Sequence, residues 1–300
     1  MAEPADEFTR RECDRVRPRE EEFLKGDFET LASGYGLVEG PTWAPDGSLY
    51  WSDVLGGGVH RRAPDGAITT VVPKRRGVGG IALHAGGGLV VGGRDLIHVR
   101  EGLSRTLFSI PDLPGWNDLC ADSRGRVWAG SIRFRVFDAD AKPVPGECWR
   151  VEAEGRATRV YDGVLHANGI ALSPDERWIV HSDSRSELLW VHDLDAEGGV
   201  SGRRAFPVAG APDGLAFDAA GCVWVAIAGG GRVDRVTPAG RLDRSLEVPA
   251  RMVTSLCFAG SDLRDLVVVT ADNAREPALR GSILRTRAQV AGAPVHPARI

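Results

Sequence analysis

Short apolar runs separated by turn residues recur along the chain from about residue 38 to its end. Each unit has an apolar run, a turn built from Pro, Asp or Gly, and a second β-rich run, as in NGIALSPDERWIVHSD. Runs of this length, bounded by turn residues, are typical of β-hairpins rather than amphipathic helices. Six such units align, and their first residues are Glu39, Gly79, Asn117, Asn168, Asp213 and Thr254. The pattern therefore predicts an all-β protein built from a repeat.

The spacing of the repeat predicts the fold class. Successive units begin 38 to 51 residues apart, which suits a four-stranded propeller blade. A second hairpin follows each unit, and ILRTRAQVAGAPVHPARI is expected to be the last. The segment FETLASG at 28–34 is expected to add an outer strand to the last blade and close the ring. We predict a six-bladed β-propeller; a β-sandwich or two small barrels is the alternative, but neither requires a near-constant repeat.

Composition and charge narrow the classes of function. Of the 300 residues, 43% are hydrophobic and 26% charged, and the formal net charge is −4. No broad basic surface for nucleic acid or an anionic membrane is therefore expected, and no apolar run approaches the roughly 18 residues of a membrane span. Five cysteines without a C-x-x-C pair argue against a disulfide framework. We predict a cytoplasmic protein that acts on a small molecule, as a monomer or small homo-oligomer.

The first 26 residues differ from the rest of the chain, because they have mixed charge and few apolar residues. They lack the apolar stretch of a secretory signal. We expect residues 1–26 to form a solvated arm and residues 27–300 to form a single propeller domain.

The repeat also predicts the location of a site. The first strand of each blade lines the central channel, so the opening residues of these strands meet near one face of it. At these positions stand two carboxylates, two carboxamides and a hydroxyl, in Glu39, Asp213, Asn117, Asn168 and Thr254. Such groups need a partner in a narrow channel, and a divalent cation would supply one. We predict a metal site on the central axis, with Ca²⁺ favoured over Zn²⁺, Mn²⁺, Mg²⁺ or Fe²⁺; the competing interpretation is that Asn-Gly and Asp-Gly are ordinary turn dipeptides.

Charged residues in the other loops on that face are candidates for substrate contact. These loops carry Asp53, Arg94, Arg133, Arg135 and Asp183, although surface turns also collect charge. The chain has no G-x-S-x-G, P-loop, G-x-G-x-x-G or H-E-x-x-H motif. A serine hydrolase, a nucleotide enzyme or a zincin is therefore not expected.

Longer motifs within the repeat occur in a fixed order. They are EGPTW at 39–43, NDLCADSRGRVWAGS at 117–131, NGIALSPD at 168–175, PDGLAFDAAGCVWVAIAGGGRV at 212–233 and TSLCFAG at 254–260. In this order the chain resembles the gluconolactonase, regucalcin and luciferin-regenerating-enzyme family of six-bladed propellers, over about residues 34–286. The resemblance implies a metal bound by Glu39, Asn168 and Asp213, with Asn117 reaching metal-bound water or substrate. It also implies hydrolysis of sugar lactones, and some distant relatives cleave organophosphates.

Two places depart from the sugar-lactonase pattern of that family. Gly115, followed by Trp116, stands where members acting on aldonolactones usually carry a sugar-binding Arg. The stretch SIRFR brings Arg133 and Arg135 to a place where an acidic residue is common. Together with Phe134, these residues predict a pocket that is more apolar and more cationic than a sugar pocket.

The favoured function is metal-dependent hydrolysis of a lactone or cyclic ester, with a simple sugar lactone not favoured as the substrate. Asp213 is the expected proton acceptor, Asn117 is expected to orient water or substrate, and His166 is a second candidate base. The predicted substrate-binding residues are Asn117, Trp116, Arg133, Arg135, His166 and Asp183. One alternative keeps the site but changes the substrate to a secondary metabolite or an organophosphate, by hydrolysis or carbonyl-polarised rearrangement. The other is a calcium-binding propeller without catalysis.

Overall fold

The computed structural model describes residues 23–138 and 140–300, with the backbone alone for Phe23. These residues form 25 strands in six sheets, which are the blades of a six-bladed propeller, as the repeat predicted. The first two strands are β1 (Phe23–Lys25) and β2 (Glu29–Tyr35). No helix in the described part of the chain is long and apolar enough to cross a membrane.

The strands of the first three blades follow one another in sequence. Blade 1 contains β3–β6, at Val38–Trp43, Leu49–Asp53, Val59–Arg62 and Ile68–Val72. Blade 2 contains β7–β10, at Ile81–Leu83, Leu89–Val91, Leu96–Arg100 and Leu103–Phe108. Blade 3 contains β11–β14, at Gly115–Ala121, Val127–Ile132, Gly146–Val151 and Ala157–Val164.

The last three blades differ in how they are completed. Blade 4 contains β15–β18, at Ala167–Leu172, Trp178–Asp183, Leu188–Leu194 and Val200–Pro207. Blade 5 contains β19–β22, at Ala211–Phe217, Val223–Ala228, Arg232–Val236 and Leu242–Glu247, and β1 lies on its outer edge. Blade 6 contains β23–β25, at Val253–Ala259, Asp265–Thr270 and Gly281–Arg287, with β2 as its outer strand. Two single 3₁₀ turns lie at Ala153–Gly155 and Pro277–Leu279.

The hydrophobic core is divided into clusters that lie between neighbouring blades. Val90 of blade 2 shares a cluster with Trp116 and Val127 of blade 3, and Val191 of blade 4 shares one with Val225 of blade 5. The second strand of each blade is almost entirely buried, and this is why these strands are mostly apolar in the sequence. The blades are therefore held to one another by the same side chains that stabilise each sheet.

Strand β2 closes the ring, which confirms the prediction made from the segment FETLASG. It pairs antiparallel with β25, from Glu29 opposite Arg285 to Tyr35 opposite Gly281. The prediction of a solvated arm is wrong at its end, because residues 23–25 form β1 and pair parallel with β22. The rest of the predicted arm, residues 1–22, lies outside the described residues.

The end of the chain corrects another prediction. Residues 288–300 do not return as an outer strand, because β2 already occupies that place. They cross the base of the central channel instead, where the N–H of Ala298 donates to the carbonyl of Leu83 at 2.8 Å and that of Ala293 donates to Phe217 at 2.9 Å. Proline at two positions of this segment removes N–H donors that a full strand ladder would need.

Candidate active site

A β-bulge interrupts the innermost hairpin near the start of its first strand in five of the six blades. The pairing shifts between Glu39 and Thr42, Trp116 and Leu119, Ala167 and Ile170, Pro212 and Leu215, and Val253 and Ser255. A bulge re-aims side chains that regular alternation would send to opposite faces. We call the end of the channel that carries these bulges the upper face, and the end crossed by residues 288–300 the base.

Three acidic side chains meet on the axis below the upper face. Glu39 and Asp213 are only 8% and 7% exposed. Burial raises the pKa of Glu39 well above its usual range, and the negative charges of Asp213 and Asp118 raise it further. Burial also raises the pKa of Asp213, with a further contribution from Asp118. Glu39 and Asp213 therefore lie close together, as the repeat predicted, while their role as metal ligands stays a prediction.

Asp118 is the residue that the repeat did not identify. It accepts hydrogen bonds from the N–H of Leu119 at 2.8 Å and of Ile170 in the next blade at 3.4 Å. Burial raises the pKa of Asp118 to about 7 despite these hydrogen bonds. In a regular strand Asp118 would face away from its neighbour Asn117, and only the bulge lets both approach the axis. The acidic residue of the N-D dipeptide was the one available signal.

The two carboxamides on the ring are held by the framework. Asn117 Nδ2 donates to the carbonyl of Ala167 at 2.9 Å. Asn168 Nδ2 donates to Ser184 Oγ at 3.1 Å, and that hydroxyl donates to the carbonyl of Pro212 at 2.6 Å. Because Nδ2 of each amide is engaged in this way, the orientation of Oδ1 is fixed as well.

The other two ring positions, Gly79 and Thr254, do not offer a side-chain oxygen to the axis. A Cβ at Gly79 would collide with Asn117 Oδ1, so this position must be glycine for Asn117 to sit where it does. Thr254 Oγ1 lies 2.5 Å from the carbonyl of Val38 and 3.1 Å from that of Val269. The hydroxyl of Thr254 is therefore directed at the backbone of the closing blades.

The chemistry of the axial side chains fits a divalent cation. Asp213 Oδ1 is buried without a hydrogen-bond partner, which is costly for a carboxylate. No basic side chain in the described ranges forms an ion pair with Glu39, Asp118 or Asp213, and none contributes to their pKa shifts. Within residues 23–138 and 140–300, no three His, Cys, Asp or Glu side chains are placed to hold a metal by themselves. A cation on this axis therefore needs amide oxygens too, and an all-oxygen set suits hard ions such as Ca²⁺.

Asp183 holds the loop around it in place through hydrogen bonds, and this role does not suit the predicted substrate contact. Its fully buried carboxylate accepts hydrogen bonds from the N–H groups of Leu165, His166 and Ser186, the hydroxyl of Ser186 and the indole of Trp190. Burial disfavours the charge, but these hydrogen bonds outweigh it and lower the pKa of Asp183. Asp53 occupies the equivalent place in blade 1 and accepts from the N–H groups of Gly36 and Gly56.

Arg133 is neutralised by an acidic residue that sequence reasoning missed. Its Nη2 lies 2.7 Å from Glu147 Oε1, and its Nε also donates to that carboxylate. Ser131 Oγ donates to Glu147 Oε2 at 2.5 Å. The pair leaves Arg133 with little charge to offer a ligand, whereas Arg135 is exposed and forms no side-chain hydrogen bond or ion pair with the described residues.

The remaining predicted substrate residues are Trp116 and His166, and they lie in different places. Trp116 lies in the core, whereas His166 lies near the channel mouth, which is the opening of the channel at the upper face. Trp116 is 1% exposed and its ring lies 5.6 Å from that of Phe108, so it packs in the core between blades and does not suit a substrate contact. His166 is half-buried, and its ring lies 5.6 Å from that of Phe134. Burial lowers the pKa of His166, so its imidazole is neutral at pH 7 and able to accept a proton.

A cavity of about 490 Å³ occupies the channel between the acidic cluster and the base. Gly40 and Asp118 line its upper end, apolar side chains of the inner strands such as Leu119 and Ile170 line its wall, and residues 293–297 cover its base. The acidic cluster therefore lies between this apolar space and the upper face.

Comparisons with known proteins agree with this geometry. The model of the family described as SMP-30/Gluconolactonase/LRE-like region matches residues 37–272. A 6-deoxy-6-sulfogluconolactonase from Pseudomonas putida is 34% identical over 276 residues, covering 85% of this chain and 92% of that protein. A pentonolactonase from Haloferax volcanii is 31% identical over 245 residues, covering 78% and 81%. A solved luciferin-regenerating enzyme matches with a TM-score of 0.82 at 24% identity, covering 92% of this chain and 100% of that one.

The blades and the buried acids on their axis define a six-bladed β-propeller with an axial site on its upper face. The chain belongs to the SMP-30/gluconolactonase/LRE-like family, which confirms the resemblance found in the sequence motifs.

Proposed function

We propose that this protein hydrolyses a lactone with the help of one divalent cation held by Glu39, Asn168 and Asp213. The observation that carries the proposal is the buried acidic cluster, in which Asp213 Oδ1 lacks a partner and no basic side chain supplies the missing charge. Relatives named as lactonases support the reaction, and a solved relative described as a calcium-binding regucalcin supports the ion. Ca²⁺ is the proposed ion because the donors are all oxygens.

When bound, the cation would polarise the ester carbonyl and stabilise negative charge on its oxygen. The chain's own groups then have separate tasks. Asp213, as a ligand of the cation, is the proposed acceptor of the proton from the attacking water. Asn117, fixed by Ala167, orients water or substrate. His166 is a second proton acceptor, since its neutral imidazole lies near the mouth of the channel.

A second candidate substrate class follows from one departure in the sequence. Gly115 replaces the arginine that the sugar-lactonase pattern leads one to expect, and it supplies no side chain for sugar hydroxyls. The same site would then act on a non-sugar lactone, another ester or an organophosphate, by hydrolysis or by rearrangement. Rates on a panel of sugar, aliphatic and aromatic lactones would separate the two, and good rates on gluconolactone would count against this candidate.

The proposal is tested with Glu39→Gln and Asp213→Asn in comparison with Asp65→Asn, a change at an exposed outer turn. Each axial change removes a charged donor, so we expect lactone turnover to fall at least 100-fold and the thermal stabilisation by Ca²⁺ to be lost. The control variant should keep both. Turnover is followed by proton release, and cation binding by calorimetry.

Three outcomes would contradict parts of the proposal. Full activity in protein stripped with a chelator would remove the metal requirement. Absence of turnover on every lactone of the panel would remove the lactonase function. Stabilisation by Ca²⁺ without turnover on any substrate would favour a calcium-binding propeller.

A further inference from the structure

The positive charges around the channel mouth are not equally available to a ligand. Arg75 pairs with Asp95 at 2.5 Å, Arg232 with Asp234 at 2.9 Å, and Arg133 is neutralised by Glu147. Each of these guanidinium groups therefore already has a carboxylate partner.

Arg185 differs from these three arginines, as do Arg76 and Arg94, which are also exposed and form no side-chain hydrogen bond or ion pair with the described residues. Arg185 is exposed in the loop between β16 and β17, and its guanidinium makes no hydrogen bond or ion pair within residues 23–138 and 140–300. Asp183 and Glu187, two residues to either side, form no ion pair with it. All five of its N–H donors are therefore free for a ligand.

The backbone next to Arg185 is rigid and tied to the axial site. Ser184 accepts a hydrogen bond from Asn168 Nδ2 and donates one to the carbonyl of Pro212. Asp183 fixes the other end of the loop through Ser186. The charge of Arg185 also reaches His166, where it adds to burial in lowering the pKa and Asp183 opposes it. The backbone of Arg185 is therefore held next to Ser184, which contacts the ring residue Asn168.

Two acids on this side of the mouth, Asp183 and Glu147, already have partners. Asp183 is fully buried and its oxygens already accept five hydrogen bonds. Glu147 is held by Arg133 and Ser131. Arg135, in the neighbouring loop of blade 3, is a second exposed guanidinium with no side-chain partner among the described residues. Glu187 is exposed two residues from Arg185, and its carboxylate has no partner among the described residues. This side of the mouth therefore offers two unpaired guanidinium groups, with one free carboxylate in the same loop as Arg185.

We propose, on the basis of the lactonase function above, that the substrate lactone carries a fixed negative group away from its ester and that Arg185 receives this group. A sulfonate or phosphate has three terminal oxygens that match the planar fork of a guanidinium. A relative that is 34% identical is named for a lactone with a sulfonate at its sixth carbon. Arg185, rather than a sugar-binding arginine at the position of Gly115, then sets specificity.

The test compares three lactones that differ only at the sixth carbon: gluconolactone, 6-deoxy-6-sulfogluconolactone and 6-phosphogluconolactone. The measured quantity is the ratio of kcat/KM for each anionic lactone to that for gluconolactone. We expect a ratio of at least 10 in the unmodified protein. In Arg185→Gln it should fall roughly 10- to 100-fold, the range expected for one charge-assisted hydrogen-bond pair. The two anionic lactones distinguish a sulfonate site from a phosphate site.

Further variants make the assignment specific. Arg185→Lys keeps the charge but loses the fork, so its ratio should lie between those of the other two proteins. Arg177→Gln, an 81% exposed side chain at the opposite end of the same hairpin, should leave the ratio unchanged. Higher salt should lower the ratio of the unmodified protein more than that of Arg185→Gln.

The outcomes separate this inference from the proposed function. A ratio near 1 in the unmodified protein, or one that Arg185→Gln leaves unchanged, would overturn the role of Arg185 while lactone hydrolysis stands. No turnover of any of the three lactones, nor of the wider panel, would instead overturn the lactonase function on which the inference rests.

Discussion

At the scale of single residues, the axial site depends on buried acids whose charges are not matched by any basic side chain in the described chain. Glu39, Asp118 and Asp213 each have a raised pKa, and burial is the largest cause for all three. Without a cation, ionising all of them is unfavourable, because like charges repel strongly in a site of low polarity. A bound divalent cation would offset this repulsion. The same acids that destabilise the metal-free protein would then stabilise the protein with its cation.

Asp118→Asn separates these two effects. The amide keeps an acceptor for the N–H of Leu119, loses the longer hydrogen bond from the N–H of Ile170 and removes one negative charge from the cluster. We expect the metal-free protein to gain about 1–2 kcal/mol in free energy of unfolding and the Ca²⁺ affinity to fall about tenfold or more. Urea unfolding with a chelator and calorimetric titration check the two halves. A metal-free variant no more stable than the parent would show that Asp118 carries no repulsion.

At the scale of elements, the bulges and the chain ends decide the shape of the channel. Bulges at the upper face turn Asn117 and Asp118 toward the axis together. At the base, residues 288–300 are free to cross the channel because β2 supplies the outer strand of blade 6. One end of the channel is thereby specialised for polar groups, and the other is closed by backbone hydrogen bonds over an apolar wall.

Removing residues 291–300 tests the closure of the base. The truncated chain loses the hydrogen bonds between Ala298 and both Leu83 and Ala85 and uncovers Phe217 and the apolar wall of the cavity. We expect a loss of about 2–5 kcal/mol in free energy of unfolding and increased binding of an apolar fluorescent dye.

A control variant and one contradicting outcome complete the test of the truncation. Val295→Ala changes a side chain that is 74% exposed in the same segment, and it should leave stability and dye binding unchanged. Lactone turnover should survive the truncation, since the proposed reaction centre lies at the upper face. An unfolding midpoint equal to that of the full chain would show that this segment does not contribute to stability.

At the scale of the whole molecule, stability depends on the interfaces between blades, and one of these contains titratable groups. Tyr161 of blade 3 stacks on His192 of blade 4 with ring centroids 4.0 Å apart and is hydrogen-bonded to His181 Nδ1 at 3.1 Å. Burial lowers the pKa of His181 to about 3 and that of His192 to about 4. Both imidazoles are therefore neutral in the folded protein near pH 7.

This interface predicts a loss of stability in acid. The unfolded chain binds these protons near pH 6.5, so the stability from neutral histidines is fully present above that pH and is lost as the pH falls toward 4. Each histidine contributes a slope of up to about 1.4 kcal/mol per pH unit in this window. His192→Phe keeps the stacked ring but removes one titration, so its unfolding free energy should fall less between pH 7 and pH 5. Equal slopes in the two proteins, measured with saturating Ca²⁺, would contradict this account.

The ring of oxygen-bearing residues shows how much of the site can be predicted from the local sequence of each hairpin. The offset between each turn and the preceding polar residue is set by hairpin geometry, so it located Glu39, Asn117, Asn168 and Asp213 without coordinates. The same counting could not reveal Asp118, because a bulge depends on how two strands pair and not on either strand alone. Trp116 and Asp183 were assigned to substrate contact because the strand pattern reveals neither the packing of Trp116 between blades nor the hydrogen bonds of Asp183 within its own blade.

By itself the sequence determined the repeat, the number of blades, the closing strand and the family, because these follow from turn chemistry and from strand patterns that recur along the chain. Only the tertiary structure decided which charged side chains are free. Arg133 and Arg185 look alike in sequence, but one meets Glu147 across its sheet and the other meets no partner among the described residues. The physical reason is that charge compensation depends on distance in space, which brings together residues that no local pattern connects.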